Sequence, residues 1–346
     1  MSLAGKIIGL AEDGLLPDFL VRAGIRRLCR RRLQQCAVHD CEKAAEQLAA
    51  FLEKADQSEV APLPEKANEQ HYEVPAAFFQ EVLGPRLKYS CCAWNSETEN
   101  LKSAEKNALE LTCKRAMLQD GQKILELGCG WGSLSLWMAE RYPEASITSL
   151  SNSNSQRKFI QARADDLGLS NLKIVTGDVN DFDPEKTFDR VVSVEMFEHV
   201  RNHRELFRRI HSWLNPGGRL FTHVFCHRSV SYPFQVEGEA DWMSKHFFSG
   251  GTMPGDDLFL RISGRLELER QHRWSGSHYA RTSEAWLQNL DRRKKTVMDL
   301  FRKDLDEREA TRTFNRWRLF FLACAETFGF ADGQEWWVSH YLFKKG

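Results

Sequence analysis

A chain of 346 residues, 42% of them hydrophobic, has material for a substantial core on the scale of an enzyme. Its 48 Lys and Arg balance 48 Asp and Glu, which excludes a net field drawing the whole molecule to nucleic acid or an anionic membrane. No run nears the ~20 apolar residues that span a bilayer, and the N-terminus lacks an apolar core with a small-residue cleavage site, so a cytoplasmic location is expected. The nine cysteines are odd in number and form no C-x-x-C pair, which argues for reduced thiols over a disulfide framework or a structural zinc site. Composition sets no oligomeric state.

Residues 1 to about 60 read as helical: Leu16-Pro17-Asp18 punctuates two apolar stretches, and Glu42 to Leu52 carries Ala and Leu at helical spacing. Arg22, Arg26, Arg27, Arg30, Arg31 and Arg32 surround Val21, Ile25 and Leu28, an amphipathic helix with a basic face. The favoured reading is a solvated face whose apolar stripe packs on the main domain; contact with a membrane surface is the other. Pro62-Leu63-Pro64 looks like a linker, dividing an N-terminal helical extension, residues 1–64, from a main domain, residues 65–346.

In the main domain, Tyr72 to Cys92 and Ser103 to Met117 suggest helices. Strand candidates at Lys123–Leu127, Ser146–Leu150, Leu172–Thr176, Phe188–Val194 and Arg219–Phe225 then alternate with helical stretches near Ser133–Arg141, Ser155–Leu167 and His203–Trp213. That alternation predicts an α/β fold with a parallel, doubly wound sheet. A turn-rich insertion, about His227–Gly264, precedes a strand at Leu266–Trp274, helices at Thr282–Phe301 and Glu309–Phe328, and a last strand at Trp336–Phe343.

The first strand ends in Glu126-Leu127-Gly128-Cys129-Gly130-Trp131-Gly132 and opens into a helix. Glycines there let the backbone turn sharply and approach a ligand, while the helix N-terminus offers free N–H groups. The third glycine comes too early for the dinucleotide fingerprint, and the second strand ends in Ser149-Leu150-Ser151-Asn152-Ser153 without the acidic ribose partner, which counts against hydride transfer.

The run Glu126 to Gly132 resembles the first motif of class I S-adenosylmethionine-dependent methyltransferases. More narrowly, Ser151-Asn152-Ser153-x-x-Gln156 resembles the cyclopropane fatty acid synthase superfamily, where a polar Ser/Thr and a Gln replace the acidic ribose partner. The resemblance implies a Rossmann-like domain holding S-adenosylmethionine, with S-adenosylhomocysteine as product, through Gly128, Gly130, Gly132, Ser151, Ser153 and Gln156. A Gln carries both a donor and an acceptor and can satisfy ribose hydroxyls without charge; the plainer alternative is an exposed helix residue. Asp178 and Val179 follow the third strand, where such enzymes meet adenine, although Asp178 serves equally as a helix cap. Tyr89-Ser90-Cys91 is implied to reach the cofactor from the N-terminal side as a lid.

The fourth strand runs into Ser193-Val194-Glu195-Met196-Phe197-Glu198-His199 at the carboxyl end of the sheet, where open α/β folds place their ligands. Helical spacing would set Glu195, Glu198 and His199 on one side, able to attract a cationic amine and take its proton. Helix-start capping is the bland alternative. Cyclopropane synthases carry Gly at the position of Glu195; the form E-M-F-E-H resembles the plant coclaurine N-methyltransferase group. So do His71-Tyr72-Glu73-Val74-Pro75, the run Phe247 to Pro254, His278-Tyr279-Ala280, Trp317 to Phe321 and Tyr341 to Lys345.

Cyclopropane synthases also use a bicarbonate held by Cys, Glu, His and a late Tyr. Cys91, Glu198 and His223 match, but Phe320-Phe321 replaces the tyrosine pair. In H-x-x-C-H from His223 to His227, strand geometry sets Cys226 opposite both histidines, so no metal site is expected. Phe248 in the insertion, Tyr72, Glu73, His223, Tyr279 and Phe321 are carried over as substrate-pocket candidates, each with a core-packing alternative. The expectation is N-methylation of a small amine, with Glu198 and His199 as proton acceptors and Glu195 as electrostatic anchor. Methyl or methylene transfer to an unsaturated lipid chain is the runner-up, and a non-catalytic cofactor-binding module the reading from another class.

Overall fold

The computed structural model describes residues 3–62, 75–97, 100–236, 238 and 241–346. Its centre is a seven-stranded sheet in the order β3-β2-β1-β4-β5-β9-β8, formed by β1 (Lys123–Leu127), β2 (Ser146–Ser151), β3 (Leu172–Thr176), β4 (Phe188–Val194), β5 (Leu214–His227), β8 (Leu266–Trp274) and β9 (Trp336–Lys345). The first five pair in parallel; β9 runs antiparallel to both β5 and β8. Leu125, Leu127, Val191 and Val192 are fully buried, as strands covered on both faces require.

One face carries α5 (Leu101–Arg115), α6 (Ser133–Arg141) and α7 (Asn154–Asp166), whose Leu109, Leu134 and Ile160 pack with Ile124 and Ile147. On the other lie α8 (His203–Trp213) and α10 (Leu258–Ile262), where Phe207, Ile210 and Phe259 meet Leu125, Val191 and Phe343. The strand order reverses between β1 and β4, and that switch point opens the crevice in which such sheets bind ligands.

A helical cap of α4 (Ala76–Val82), α11 (Gly276–Arg292), α12 (Lys294–Phe301) and α13 (Glu307–Phe328) covers the carboxyl ends of the strands through Phe79, Trp286, Trp317 and Phe321, packed with Trp131 and Phe225. Among the described residues, the helix expected over 72–92 is confined to α4. Pro85 cannot continue it, and the Glu105 carboxylate accepts the N–H groups of Arg86 (2.9 Å) and Lys88 (3.1 Å), holding residues 84–95 as a non-helical strap. The expected 282–301 helix divides at Arg293 into α11 and α12.

α1 (Leu3–Glu12) and α2 (Asp18–Gln35) lie against α13, and α3 (Cys41–Asp56) against α8. Of the apolar stripe of α2, Val21 and Ile25 pack on the cap whereas Leu28 stays exposed, and the basic face is not simply solvated: Arg22 pairs with Glu284 and Glu326, Arg26 with Glu326 at 2.6 Å, and Arg318 of α13 reaches back to Asp18. No helix among the described residues is long and apolar enough to cross a membrane. The insertion after β5 also divides. Its first part carries a short β6–β7 pair (Tyr232–Pro233, Thr252–Met253) and α9 (Trp242–His246), whereas α10 is core.

Candidate active site

A cleft opens at the switch point, walled by Gly128, Gly130, Ser151, Gln156, Asp178, Val179, Met196 and His199. Gly128 stands at φ +79°, and a Cβ there would lie 2.7 Å from Cβ of Met196, so only glycine keeps this wall thin. Gln156 is 1% exposed and its Oε1 accepts the Ser151 hydroxyl at 2.8 Å, while its Nε2 donor is buried without a partner among the described residues. Such a donor facing a cleft suits a ligand hydroxyl, which is the role expected for a ribose partner. Asp178 lines the cleft but caps no helix: its Oδ1 accepts the Asn180 N–H at 2.8 Å within a turn.

Gly132 and Ser153 do not line the cleft. Gly132 lets α6 approach α7, since its Cβ would lie 2.8 Å from Ile160, and Ser153 caps α7 through the Gln156 N–H. Tyr89 and Ser90 are also absent from the cleft wall; Tyr89 packs between Phe79 and Trp286, and Ser90 bonds the Lys88 ammonium.

Beside the cleft, Glu195 departs from the expected helical turn. Its φ is +49°, a left-handed conformation costly for a residue with a Cβ, and its N–H is held by the His223 carbonyl at 2.8 Å. Only Phe197–His199 form a short 3₁₀ turn. At this kink the Glu195 carboxylate sits in a socket of donors. Oε1 accepts the Cys91 N–H (2.8 Å) and His223 Nε2 (3.1 Å), and Oε2 accepts the Tyr279 hydroxyl (2.7 Å). Burial raises the pKa of Glu195, against the opposing pull of the Lys88 ammonium and these donors.

Glu198 is fully buried; Oε1 accepts the Phe225 N–H at 2.7 Å and Oε2 has no hydrogen-bond partner among the described residues. Burial, and then the nearby Glu195 charge, raise its pKa well above the usual carboxylate range. His199 faces the cleft with its ring 4.5 Å from that of Phe248, and burial pushes its pKa down to about 4. Burial thus makes Glu198 the more basic group, inclined to hold a proton, and keeps His199 a neutral imidazole, a weaker proton acceptor than its expected role requires.

The structure thus brings His223, Tyr279 and Phe248 to the site, the first two as partners of Glu195. Phe321 is instead core, packed on Trp286 and Trp317. Tyr72 and Glu73 lie outside the described residues. Sequence reasoning missed Lys88, and it missed the end of the N-terminal extension. Ala61 forms part of the cleft wall, clamped by Asn180 through two bonds of 2.9 and 2.8 Å, and the Val60 carbonyl accepts the Arg201 N–H. No local motif announces a contact between residues so far apart in the chain.

The sequence profile of the mycolic acid cyclopropane synthetase family matches residues 63–335. The chain belongs to this family. It is 36% identical over 344 residues to an (S)-coclaurine N-methyltransferase of Thalictrum flavum subsp. glaucum, covering 98% of this chain and 95% of the relative. The cyclopropane-fatty-acyl-phospholipid synthase of Escherichia coli is 29% identical and covers 80% of this chain and 67% of that one. Among solved structures, a coclaurine N-methyltransferase bound to N-methylheliamine and S-adenosylhomocysteine superposes with a TM-score of 0.94 at 33% identity, over 98% of this chain and 99% of that chain. A Mycobacterium tuberculosis cyclopropane synthase shares the fold, with a TM-score of 0.70 at 23% identity, over 81% and 98%. The chain is an S-adenosylmethionine-dependent methyltransferase of the N-methylating branch, with the lipid-modifying branch more distant.

Proposed function

We propose that this enzyme methylates the nitrogen of a secondary amine of the benzylisoquinoline type, the class to which the coclaurine of its named relatives belongs. The observation that carries this reading is the Glu195 socket. Cys91 and His223 occupy positions that the cyclopropane synthase resemblance assigns to bicarbonate binding, and here both donate to the protein's own carboxylate. An anion that should be exchangeable is replaced by a fixed charge, a feature suited to attracting an ammonium group. Phe320 and Phe321 stand where the tyrosine pair would complete the anion site.

Bound S-adenosylmethionine supplies a methyl carbon made electrophilic by its sulfonium. Gln156, Ser151 and Asp178 would hold it against Gly128 and Gly130. An aliphatic amine enters protonated, and Glu195 draws it toward the strand ends. Desolvation there lowers the amine's pKa, and burial makes Glu198, in its ionised form, the stronger proton acceptor, with the neutral His199 imidazole next in the chain. The freed nitrogen lone pair takes the methyl, the carbon–sulfur bond breaks with its electrons to sulfur, and the product leaves as a tertiary ammonium. Phe248 against His199 gives the pocket an apolar wall for the substrate's ring.

The test is S-adenosylhomocysteine release with (S)-coclaurine and 1,2,3,4-tetrahydroisoquinoline, run beside unsaturated phospholipid vesicles, with mass spectrometry of products. One added methyl on nitrogen is expected. Glu195→Gln should cut kcat/KM for amine by about 10–100-fold, the worth of one hydrogen bond to a charged group, without changing S-adenosylhomocysteine affinity. A modified acyl chain, or a Glu195→Gln enzyme with wild-type turnover and KM, would overturn the reading.

A further inference from the structure

Glu195 stands at the inner end of a row of side chains set by the register of the sheet. His223 of β5 lies directly opposite His340 of β9, which lies directly opposite His272 of β8. Opposed residues of antiparallel strands share a face, so the three histidines form one file from the active site to the edge strand. His223 Nε2 meets Glu195 Oε1 at 3.1 Å, the His223 and His340 rings are 4.6 Å apart, and His340 Nδ1 meets Arg115 Nη1 at 2.8 Å. Trp274 walls both rings, 5.3 Å from His223 and 4.5 Å from His340, and the Arg115 guanidinium lies 5.4 Å over its face.

The chemistry of the end groups dictates the tautomers. A guanidinium only donates, so His340 Nδ1 accepts and its proton sits on Nε2. A carboxylate only accepts, so the His223 proton sits on Nε2 and its Nδ1 bears the lone pair. The atoms left over, His340 Nε2–H and His223 Nδ1, are a donor and an acceptor on neighbouring rings, and both are buried with no partner among the described residues. The two bonded donors, Arg115 Nη1 to His340 and His223 Nε2 to Glu195, therefore run in one direction, with the two imidazole rings in contact between them.

We propose that Arg115 and His340 are positioning residues for methyl transfer: through His223 they keep Glu195 an aimed, ionised carboxylate. This rests on Glu195 being the amine anchor. The other groups facing Glu195 are Lys88, Cys91, Tyr279, Cys324, Glu198 and His199; those facing His340 are His223, Arg115, Lys88 and His272. Lys88 already bonds Ser90 and the Cys91 carbonyl, so the file supplies a second, independent cationic support. Arg115 and Lys88 also oppose protonation of His223 and His340, which the polarised arrangement requires.

Arg115→Met, Arg115→Lys and His340→Phe enzymes, beside wild type and Glu195→Gln, would be assayed with 1,2,3,4-tetrahydroisoquinoline for kcat and KM across pH, and by calorimetry for S-adenosylhomocysteine. Arg115→Met and His340→Phe should raise the amine KM about tenfold near neutral pH and move the acidic limb of kcat/KM upward by about one pH unit. Cofactor-product affinity should be unchanged, and Arg115→Lys, which still donates, should restore most of the loss. The proposal is overturned by an Arg115→Met enzyme with the wild-type profile, or by a pH-independent loss that Arg115→Lys does not repair. If Glu195→Gln itself leaves the amine KM unchanged, the anchor reading fails; if it raises KM while Arg115→Met does not, only the relay fails.

Discussion

Replacing Gln156 by Leu should separate binding from stability. The substitution is near in volume and removes one observed bond, from the Ser151 hydroxyl to Gln156 Oε1 at 2.8 Å, worth about 1 kcal/mol. Ser151 keeps other partners, since its Oγ lies 3.1 Å from the Ser153 N–H and 3.5 Å from the Ser153 carbonyl. Leu also removes the buried Nε2, which has no partner among the described residues and whose desolvation costs about 1–3 kcal/mol in the unliganded fold. The two effects offset, so the free enzyme should unfold within about 2 °C of wild type, or slightly above it. Binding should suffer, because the amide is satisfied only when hydroxyls enter the cleft; losing about 1–3 kcal/mol weakens S-adenosylhomocysteine by roughly 5–150-fold. Calorimetric titration and thermal unfolding, each with and without S-adenosylhomocysteine, measure both quantities. A variant that melts well below wild type yet binds normally would refute the argument and make Gln156 a structural residue.

Glu126, buried and bonded to Ser149 at 2.7 Å and to Ser135, has its pKa pushed up by burial from 4.5 to about 6. The folded state thus holds a proton that the unfolded chain releases, so its contribution to stability is greatest below pH 4.5 and declines by about 2 kcal/mol as pH rises to about 6. Urea midpoints should show Glu126→Gln gaining on wild type across that window and no further above it; parallel curves would contradict this. Gly128→Ala forces a Cβ at φ +79° to within 2.7 Å of Met196, combining strain of roughly 1–2 kcal/mol with displacement of the residue beside Glu195. S-adenosylhomocysteine affinity should fall at least about tenfold, and an unaltered titration would show that the wall can give. Asn180→Ala removes both bonds to Ala61 and should cost about 2 kcal/mol of stability with several-fold weaker cofactor binding. Unchanged binding, despite faster proteolysis of residues 56–61, would remove Ala61 from the working cleft.

Much of the fold was legible because its signals are local. The strands β1, β3, β4 and β8 and the helix over His203–Trp213 fall at the expected residues, since period and punctuation act within a few residues of one another. The glycine turn, Ser151 and Gln156 were legible for the same reason. The strap at 84–95 was not: its conformation depends on Glu105, a residue of a different helix, satisfying two backbone donors. Glu195, Glu198 and His199 were recognised as a cluster, yet helical spacing misplaced the first, whose left-handed turn is held by a strand carbonyl from His223. Phe321 and Phe248, both apolar and both near motif residues, went to opposite fates, one into the aromatic core and the other against His199.

By itself, the sequence determined the α/β sheet with its parallel strands, the cofactor turn and the presence of a carboxylate at position 195, because each is encoded in residue type and spacing along a short stretch of chain. Only the tertiary structure decided what that carboxylate does. Cys91, His223 and Tyr279 come from the strap, β5 and α11, and they surround Glu195 because the sheet register and the cap bring them there. Long-range packing sets the direction of a buried charge, and no pattern along the chain carries that information.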